Sequence, residues 1–358
     1  MSPHTKGALY GLTAALLFGM SAPVAKLFLA EVSPVLMAGL LYAGGGLGLL
    51  LCEWGRRRWG SAIVDDAPLR RADLPLLTGI VCLGGMGGPI LMLLGLQRLS
   101  GVFGSLLLNL EAPFTIVLAV GLFKEHLTRK EAAGAAIILL GAGLIGYAPF
   151  EPVGDLVGVL ALSGATVCWA LDNNLTQRLS SLRDPLAVMK VKAISAGIVM
   201  IGVGCFAHDR WPEARVVAAL MGLGMVSYGV SLVLDAYALR FVGAAREAAY
   251  FATAPFVGAA FSVPLLGDTW GSREVLVALL MGVGVLLLQG ARHVHLHTHA
   301  ETEHDHLHSH TDPHHDHHET FVEDTSMRTC RICIIVILTR SSALDESSRL
   351  VVSSGIHR

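Results

Sequence analysis

The sequence predicts an all-α membrane protein with ten transmembrane helices in two inverted five-helix repeats, followed by a disordered His-rich C-terminal tail. Of its 358 residues, 53% are hydrophobic and only 15% are charged, whereas about 25% are charged in an average soluble protein. The apolar residues fall in blocks of roughly 18 to 22, and a helix needs about 20 residues to cross ~30 Å of hydrocarbon. Buried strands of a soluble protein would give much shorter apolar runs.

The predicted spans are connected mostly by short loops, which makes neighbouring helices antiparallel. The first apolar run could be mistaken for a signal peptide, but it lacks a clear small-x-small cleavage site before Lys26, so we interpret it as the first helix. The ten spans are residues 7–28, 34–53, 74–96, 102–123, 131–149, 155–176, 186–206, 214–236, 247–266 and 273–290.

Basic residues predict the orientation of these spans. If the N-terminus is cytoplasmic, the inside loops hold fourteen Lys and Arg residues, including Arg56, Arg57 and Arg58, and the outside loops hold five. Inside loops of membrane proteins carry the excess of Lys and Arg. We therefore expect a multi-pass protein of the cell (inner) membrane with both termini in the cytoplasm.

The chain also repeats itself. The segment GALYGLTAALLFG at Gly7–Gly19 aligns with GVLALSGATVCWA at Gly158–Ala170, at an offset of 151 residues. Later, Ala112–Phe114 matches Ala254–Phe256 at an offset of 142 residues. Residues 1–150 and 151–290 then form two repeats, and because each has an odd number of spans, the second enters the membrane in the opposite sense. Inverted repeats are typical of alternating-access transporters.

These segments resemble a known family. The stretches GALYGLTAALLFGMSAPVAK, SLLLNLEAPFTIVLAVGLFKE and LDAYALRFVGAAREAAYFATAPFVGAAFSVPLLGD are similar to the EamA repeat of the drug/metabolite transporter superfamily. The resemblance covers about residues 7–290. It implies a ten-helix secondary transporter, often an exporter of amino acids or other small metabolites. Thr253 stands where the first repeat has Glu111, so the two halves are not chemically equivalent.

Glu111 is the clearest ionisable residue within a predicted span. An isolated charge at the bilayer centre costs about 2.5 to 3.5 kcal/mol on insertion scales, so such residues usually face a bundle interior or a wet cavity. We expect Glu111 to face the cavity between the two halves and to contact substrate or carry a coupling proton. The alternative is a structural carboxyl that is hydrogen-bonded to a neighbouring helix.

Polar residues in spans six and eight are further candidates for the substrate or proton pathway. Asp172 and Asn173 begin a run of three polar residues that cannot all face lipid, although an interfacial helix cap would also explain them. Tyr228, Ser231 and Asp235 follow one another along span eight, with Ser227 one turn before Ser231. A hydrogen-bonded contact with another helix would equally explain this stripe.

Other residues within the spans have simpler interpretations. Pro113 and Pro255 occupy equivalent places in the two repeats and predict helix bends, acting either as hinges or as tolerated kinks. Glu247 is interpreted as an interface charge. Lys190 and Lys192 are expected to extend towards the cytoplasmic surface.

Beyond the spans, residues 291–320 form a predicted His-rich cytoplasmic tail, and residues 321–358 are an unassigned extension, expected to be disordered. Imidazole is a good ligand for zinc, nickel or cobalt, so we expect the tail to bind these ions with low specificity. No cofactor is required by this interpretation. The predicted ligands are His293, His295, His297, His299, His304, His306, His308, His310, His314, His315, His317 and His318.

The function predicted from these features is that of a secondary active transporter rather than an enzyme. The sequence lacks a GxxxxGK[ST] loop, a dinucleotide-binding loop and a nucleophile elbow. We expect export of small amino-acid-like or drug-like metabolites by alternating access, coupled to protons. The partners are a small-molecule substrate and membrane lipid, without nucleic acid, and a homodimer remains open. The alternatives are a transition-metal exporter and a metal-responsive membrane protein that uses the tail.

Overall fold

The computed structural model describes residues 2–58, 67–123, 128–146, 156–180, 182–242 and 244–289. Within these ranges the regular elements are all helical, and the helices belong to one compact unit. The His-rich tail and the extension lie outside the described residues. The predictions made for them therefore stay predictions.

Fifteen α-helices occur in the described ranges, and several of them are consecutive segments of one span. They are α1 (Pro3–Gly19), α2 (Ser21–Lys26), α3 (Pro34–Arg58), α4 (Leu74–Ile80), α5 (Gly88–Leu96), α6 (Gly101–Leu107), α7 (Glu111–Phe123), α8 (Arg129–Gly146), α9 (Leu156–Ser180), α10 (Pro185–Phe206), α11 (Ala214–Gly224), α12 (Ser231–Val242), α13 (Ala244–Phe251), α14 (Ala254–Leu266) and α15 (Ser272–Gln289).

Nine helical stretches of the described residues are long and apolar enough to cross a membrane. They are His4–Lys26, Pro34–Gly55, Arg71–Leu96, Gly101–Leu118, Leu156–Ser180, Pro185–Phe206, Ala214–Ala238, Arg246–Leu266 and Ser272–Gln289. Helix α8, at the place of the predicted fifth span, has 18 residues, but its first turn contains Arg129, Lys130 and Glu131. The total of ten spans accordingly stays a prediction.

Capping residues mark the ends of several helices. The Ser2 hydroxyl accepts a hydrogen bond from the Thr5 N–H at 3.2 Å at the start of α1. The Asp184 carboxylate accepts one from the Leu186 N–H at 2.9 Å at the start of α10. Such caps satisfy backbone donors that have no partner within the helix. Gly267 ends α14 with φ 72°, a left-handed conformation that glycine adopts without strain.

The third and fourth spans of each half are interrupted at matching places. A π-helical turn at Val81–Gly87 joins α4 to α5, and another at Met225–Val230 joins α11 to α12. A 3₁₀ turn at Leu108–Leu110 precedes α7, and a turn separates α13 from α14. Pro113 and Pro255 therefore lie in the first turn of a helix just after an interruption. Whether they act as hinges stays a prediction.

Helix packing is equivalent in the two halves. The first span packs on the eighth through α1 and α12, and the sixth packs on the third through α9 and α5. The second and seventh spans pack on each other through α3 and α10, the fourth and ninth through α6 and α14, and α8 packs on α15. Each of these contacts joins one half of the chain to the other. The two halves are thus interlocked, with the buried core between them.

Glycine allows the closest of these contacts, as Gly44 in α3 and Gly224 in α11 show. A Cβ atom on Gly44 would lie 2.1 Å from the carbonyl oxygen of Met221, and one on Gly224 would lie 2.0 Å from that of Leu41. Backbones of neighbouring spans approach this closely only where side chains are absent.

Polar contacts tie the halves together at both ends of the bundle. At one end, Arg183 pairs with Asp73 at 2.7 Å, and Lys190 pairs with Glu53. At the other end, the Asp268 carboxylate accepts a hydrogen bond from the backbone N–H of Val102 at 3.0 Å.

Candidate functional site

Glu111 is the first residue of α7 and contacts the second half of the chain. The Nδ2 atom of Asn173 in α9 donates a hydrogen bond to Oε1 of Glu111 at 2.6 Å. Asn173 itself is exposed, whereas its neighbours Asp172 and Asn174 are buried. The Glu111–Asn173 contact therefore joins the fourth span to the sixth, with open surface beside it.

Asp172 forms a buried ion pair on the other side of Asn173. Its side chain pairs through Oδ2 with Nζ of Lys192 in α10, and the two side chains are 4% and 12% exposed. The Thr176 hydroxyl donates to Oδ1 of Asp172 at 3.3 Å. A pair this deeply buried is retained only where both charges are compensated. Because Asn173, which binds Glu111, directly follows Asp172 in α9, the ionisable side chains of Glu111, Asp172 and Lys192 form one cluster.

The backbone carbonyl of Gly84 connects this cluster to aromatic side chains. It accepts hydrogen bonds from the Tyr42 hydroxyl at 2.8 Å and from Nε1 of Trp169 at 3.2 Å. The Tyr42 ring stacks on Tyr228, with 5.4 Å between ring centroids. Tyr228 in turn meets Phe18 edge-to-face at 5.6 Å. The aromatic rings come from both halves of the chain.

We call these residues the central polar cluster: Glu111, Asn173, Asp172, Lys192, Tyr42, Trp169 and the carbonyl of Gly84. A substrate that entered it would meet a carboxyl group, an ion pair and aromatic faces at once. This combination suits the amine and carboxylate of a small zwitterion, or an amphipathic cation, because charged ligand groups need compensating charges when they leave water.

The polar stripe of span eight divides between two environments. Ser227 and Ser231 donate to the carbonyls of Leu17 and Ala14 at 2.7 Å and 2.9 Å. For these two serines the structure thus shows a hydrogen-bonded contact with another helix, which was the alternative interpretation of the stripe. Tyr228 faces the central polar cluster instead.

Asp235 lies away from the cluster, one turn beyond Ser231. Its Oδ1 atom is buried without a hydrogen-bond partner among the described residues, and its carboxyl is adjacent to that of Glu247. The structure therefore does not bring Asp235 together with Glu111 and Asp172.

Several residues of the central polar cluster were not among the sequence candidates. Lys192 was expected to extend to the cytoplasmic surface, but it turns inward because Asp172 is within reach on the neighbouring helix. Its position two turns inside α10 is the signal that could have identified it. Tyr42 and Trp169 carry no comparable signal, since aromatic residues are frequent in any span. Gly84 has no side chain that could have singled it out.

Metal ligation is not evident in the helical bundle. Within the described residues, no three His, Cys, Asp or Glu side chains are arranged to hold a metal ion. The twelve tail histidines lie outside the described residues.

The interlocked helical halves, with charged groups buried between them, define a multi-pass membrane protein built like a transporter. The chain belongs to the EamA-like transporter family, whose model matches residues 5–147 and 156–289. This match confirms the resemblance found in the sequence and shows an integral multi-pass membrane transporter.

Individual proteins agree with this assignment. An "Uncharacterized transporter" of Methanothermobacter thermautotrophicus is 29% identical over 291 residues, which cover 77% of this chain and 84% of the relative. The "Uncharacterized transporter YyaM" of Bacillus subtilis is 24% identical over 223 residues, covering 60% of this chain and 72% of the relative. A crystal structure with 18% identity and a TM-score of 0.58 covers 78% of this chain and 94% of its own. That structure supports the fold alone.

Proposed function

We propose that the protein is a proton-coupled secondary transporter that exports small amino-acid-like or drug-like metabolites, with the central polar cluster as its substrate site. The hydrogen bond between Glu111 and Asn173 carries the proposal. It joins the two halves of the chain at the place where charged and aromatic groups converge. A site at the interface of two repeats is accessible to each side of the membrane in turn when one repeat rocks against the other.

Glu111 holds the coupling proton in this mechanism. Ionised, its carboxylate accepts the hydrogen bond from Asn173 and attracts a substrate amine, while Lys192 offers a partner for a substrate carboxylate. Protonated, Glu111 loses its charge and its attraction for the amine, so the substrate is released. Because the proton and the substrate bind the same carboxyl in turn, proton entry is coupled to substrate export without ATP.

Asp172 keeps Lys192 oriented in the unloaded site. Both groups of the ion pair are buried. A bound zwitterion brings one positive and one negative charge, so a group that gives up its partner in the ion pair gains a partner on the substrate. The aromatic surfaces of Tyr42, Tyr228 and Trp169 provide contacts for an apolar substrate group. This arrangement favours small amphipathic molecules over large or strongly anionic ones.

Transport into inside-out membrane vesicles tests the proposal. The panel contains radiolabelled L-amino acids, ethidium as an amphipathic cation, and zinc and nickel ions. We expect an acidic vesicle lumen to drive accumulation of at least one organic compound. Wild-type vesicles that accumulate none of the organic compounds above the level of vesicles lacking the protein would refute metabolite export.

The Glu111→Gln variant tests the coupling role. Glutamine keeps the size and the capacity to accept a hydrogen bond from Asn173 but cannot exchange a proton. We expect accumulation driven by the pH gradient to fall at least about tenfold, because the proton-binding group is lost, with unchanged protein level in the membrane. Glu31→Gln is the matched control, since Glu31 is exposed and outside the cluster. Normal transport with the same pH dependence would make Glu111 a structural residue.

The rival function is export or sensing of transition metals through the His-rich tail. Its support is compositional: twelve of the sixteen histidines lie within residues 293–318. Accumulation of zinc or nickel by the same vesicles, lost when the tail is removed, would favour this alternative.

A further inference from the structure

The π-helical turn at Val81–Gly87 gives Gly84 an unusual backbone environment. The N–H of Gly88 donates to the carbonyl of Leu83, five residues earlier, and not to that of Gly84. In this pattern the donor for Gly84 would be the N–H of residue 89, but that residue is proline and has none. The Gly84 carbonyl is therefore left without a helical partner. Its hydrogen-bonding capacity is used by Tyr42 and Trp169 instead.

The missing side chain of Gly84 matters as much as its carbonyl. A Cβ atom built on Gly84 would lie 2.0 Å from Oδ2 and 2.1 Å from Cγ of Asp172. Atoms in real proteins do not approach this closely, so any side chain at residue 84 would displace the carboxylate that pairs with Lys192. One turn later, a Cβ on Gly88 would lie 2.5 Å from Nε1 of Trp169.

We infer that Gly84, with Pro89, is the positioning element of the transport site. Because Gly84 has no side chain, it leaves room for the Asp172 carboxylate. Its carbonyl, which has no helical partner, accepts the hydrogen bonds that orient Tyr42 and Trp169. One residue of the first half thereby holds an acidic side chain and an aromatic side chain of the second. The inference rests on the proposed function in treating the central polar cluster as the substrate site.

The π-helical turn of the second half has a different role. There, Gly224 meets the backbone of Leu41, and Gly229 meets the Cα atom of Gly48, where added Cβ atoms would lie 2.0 Å and 3.0 Å away. These glycines allow close packing between helix backbones. Gly84 differs because the atoms that would collide with its side chain belong to a charged group of the site.

A set of variants at residues 84 and 172 tests the positioning role. Gly84→Ala is expected to lower the midpoint of thermal unfolding of the purified protein in detergent by roughly 5 °C, because the added methyl group overpacks the site. In an Asp172→Ala background, which removes the colliding carboxylate, Gly84→Ala should cost little. In an Asp172→Asn background, which keeps the size and removes the charge, Gly84→Ala should lower the midpoint as much as it does in the wild type.

Gly222→Ala is the control variant. Gly222→Ala introduces a methyl group with no heavy atom within 4 Å, and its midpoint should match the wild type. If Gly84→Ala lowered the unfolding midpoint equally in the wild-type, Asp172→Ala and Asp172→Asn backgrounds, the inference would be overturned. The effect of a glycine that serves only helix packing does not depend on residue 172. If Gly84→Ala alone fails to accumulate, recovery of folded protein by Asp172→Ala supports the inference, and failure to recover overturns it.

Transport provides a second readout. With the organic compounds of the vesicle panel, Gly84→Ala should raise the concentration for half-maximal accumulation about tenfold, while Gly222→Ala leaves it unchanged. An unchanged value in Gly84→Ala would overturn the positioning role. If the wild type transports none of these compounds, the proposed function fails, but the unfolding measurements still decide whether Gly84 positions Asp172.

Discussion

Removing the positive charge of Lys192 provides the most direct test of the buried ion pair. Lys192→Met keeps an unbranched side chain of similar length but leaves the Asp172 carboxylate without its partner. Among the described residues, the remaining hydrogen bond to this carboxylate comes from Thr176 at 3.3 Å, and it cannot compensate a full charge. Because the Asp172 side chain is only 4% exposed, water cannot replace the lost ammonium group.

The expected magnitude follows from this burial. Removing one partner of a buried ion pair typically costs 3 to 5 kcal/mol, so we expect Lys192→Met to lower the free energy of unfolding by about 3 kcal/mol. Changing both residues, as Lys192→Met with Asp172→Asn, removes both charges and should cost only about 1 kcal/mol, because replacing a buried pair by neutral groups is often close to neutral. The double variant should then be about 2 kcal/mol more stable than Lys192→Met alone, which would show that the two positions are coupled.

Unfolding in mixed micelles with an increasing fraction of sodium dodecyl sulfate, followed by circular dichroism, measures these differences. Lys190→Met is the matched control on the same helix. Its side chain is 19% exposed and that of its partner Glu53 is 28% exposed, so solvent screening should limit the loss to about 1 kcal/mol. A Lys192→Met variant as stable as Lys190→Met, or a double variant whose loss equals the sum of the single losses, would refute a buried, coupled pair.

The remaining predictions concern topology and the tail. With cysteine introduced at Ser61 or Pro152, an impermeant thiol reagent added outside the cell should label position 152 and spare position 61, because both termini are expected in the cytoplasm; the opposite pattern would reverse the orientation. Truncation after Gly290 should leave organic transport largely intact while removing most nickel binding, measured by equilibrium dialysis of the purified protein. Loss of organic transport and metal resistance together would favour the metal-exporter alternative.

Much of the helical architecture was predictable because long apolar runs and repeated segments are properties of the sequence itself. The predicted start of the second span at residue 34 and of the seventh at residue 186 agree with α3 and α10 to within one residue. The π-helical turns were not predictable. They depend on a shift in backbone hydrogen bonding that tertiary contacts stabilise, and VCLGGMG contains no unambiguous local signal for it.

The candidate site was predictable only in part. Glu111, Asp172 and Asn173 stood out because polar groups are rare within spans. The pairing of Asp172 with Lys192, and the use of the Gly84 carbonyl by Tyr42, depend on which helix faces meet. One sequence without its contacts does not contain that information: the depth of Lys192 within its span hints that it points inward, but it does not tell which side chain of another helix it meets.

The interlocked pairing of the halves has a consequence for biosynthesis. Helices α3 and α5 of the first half have their principal partners in α10 and α9, which the ribosome makes only later. Until then, the first half is inserted in the bilayer with its glycine-lined surfaces uncovered, and Glu111 lacks Asn173. The nascent first half is therefore an assembly intermediate rather than a finished domain. The second half is in effect its folding partner, supplied on the same polypeptide.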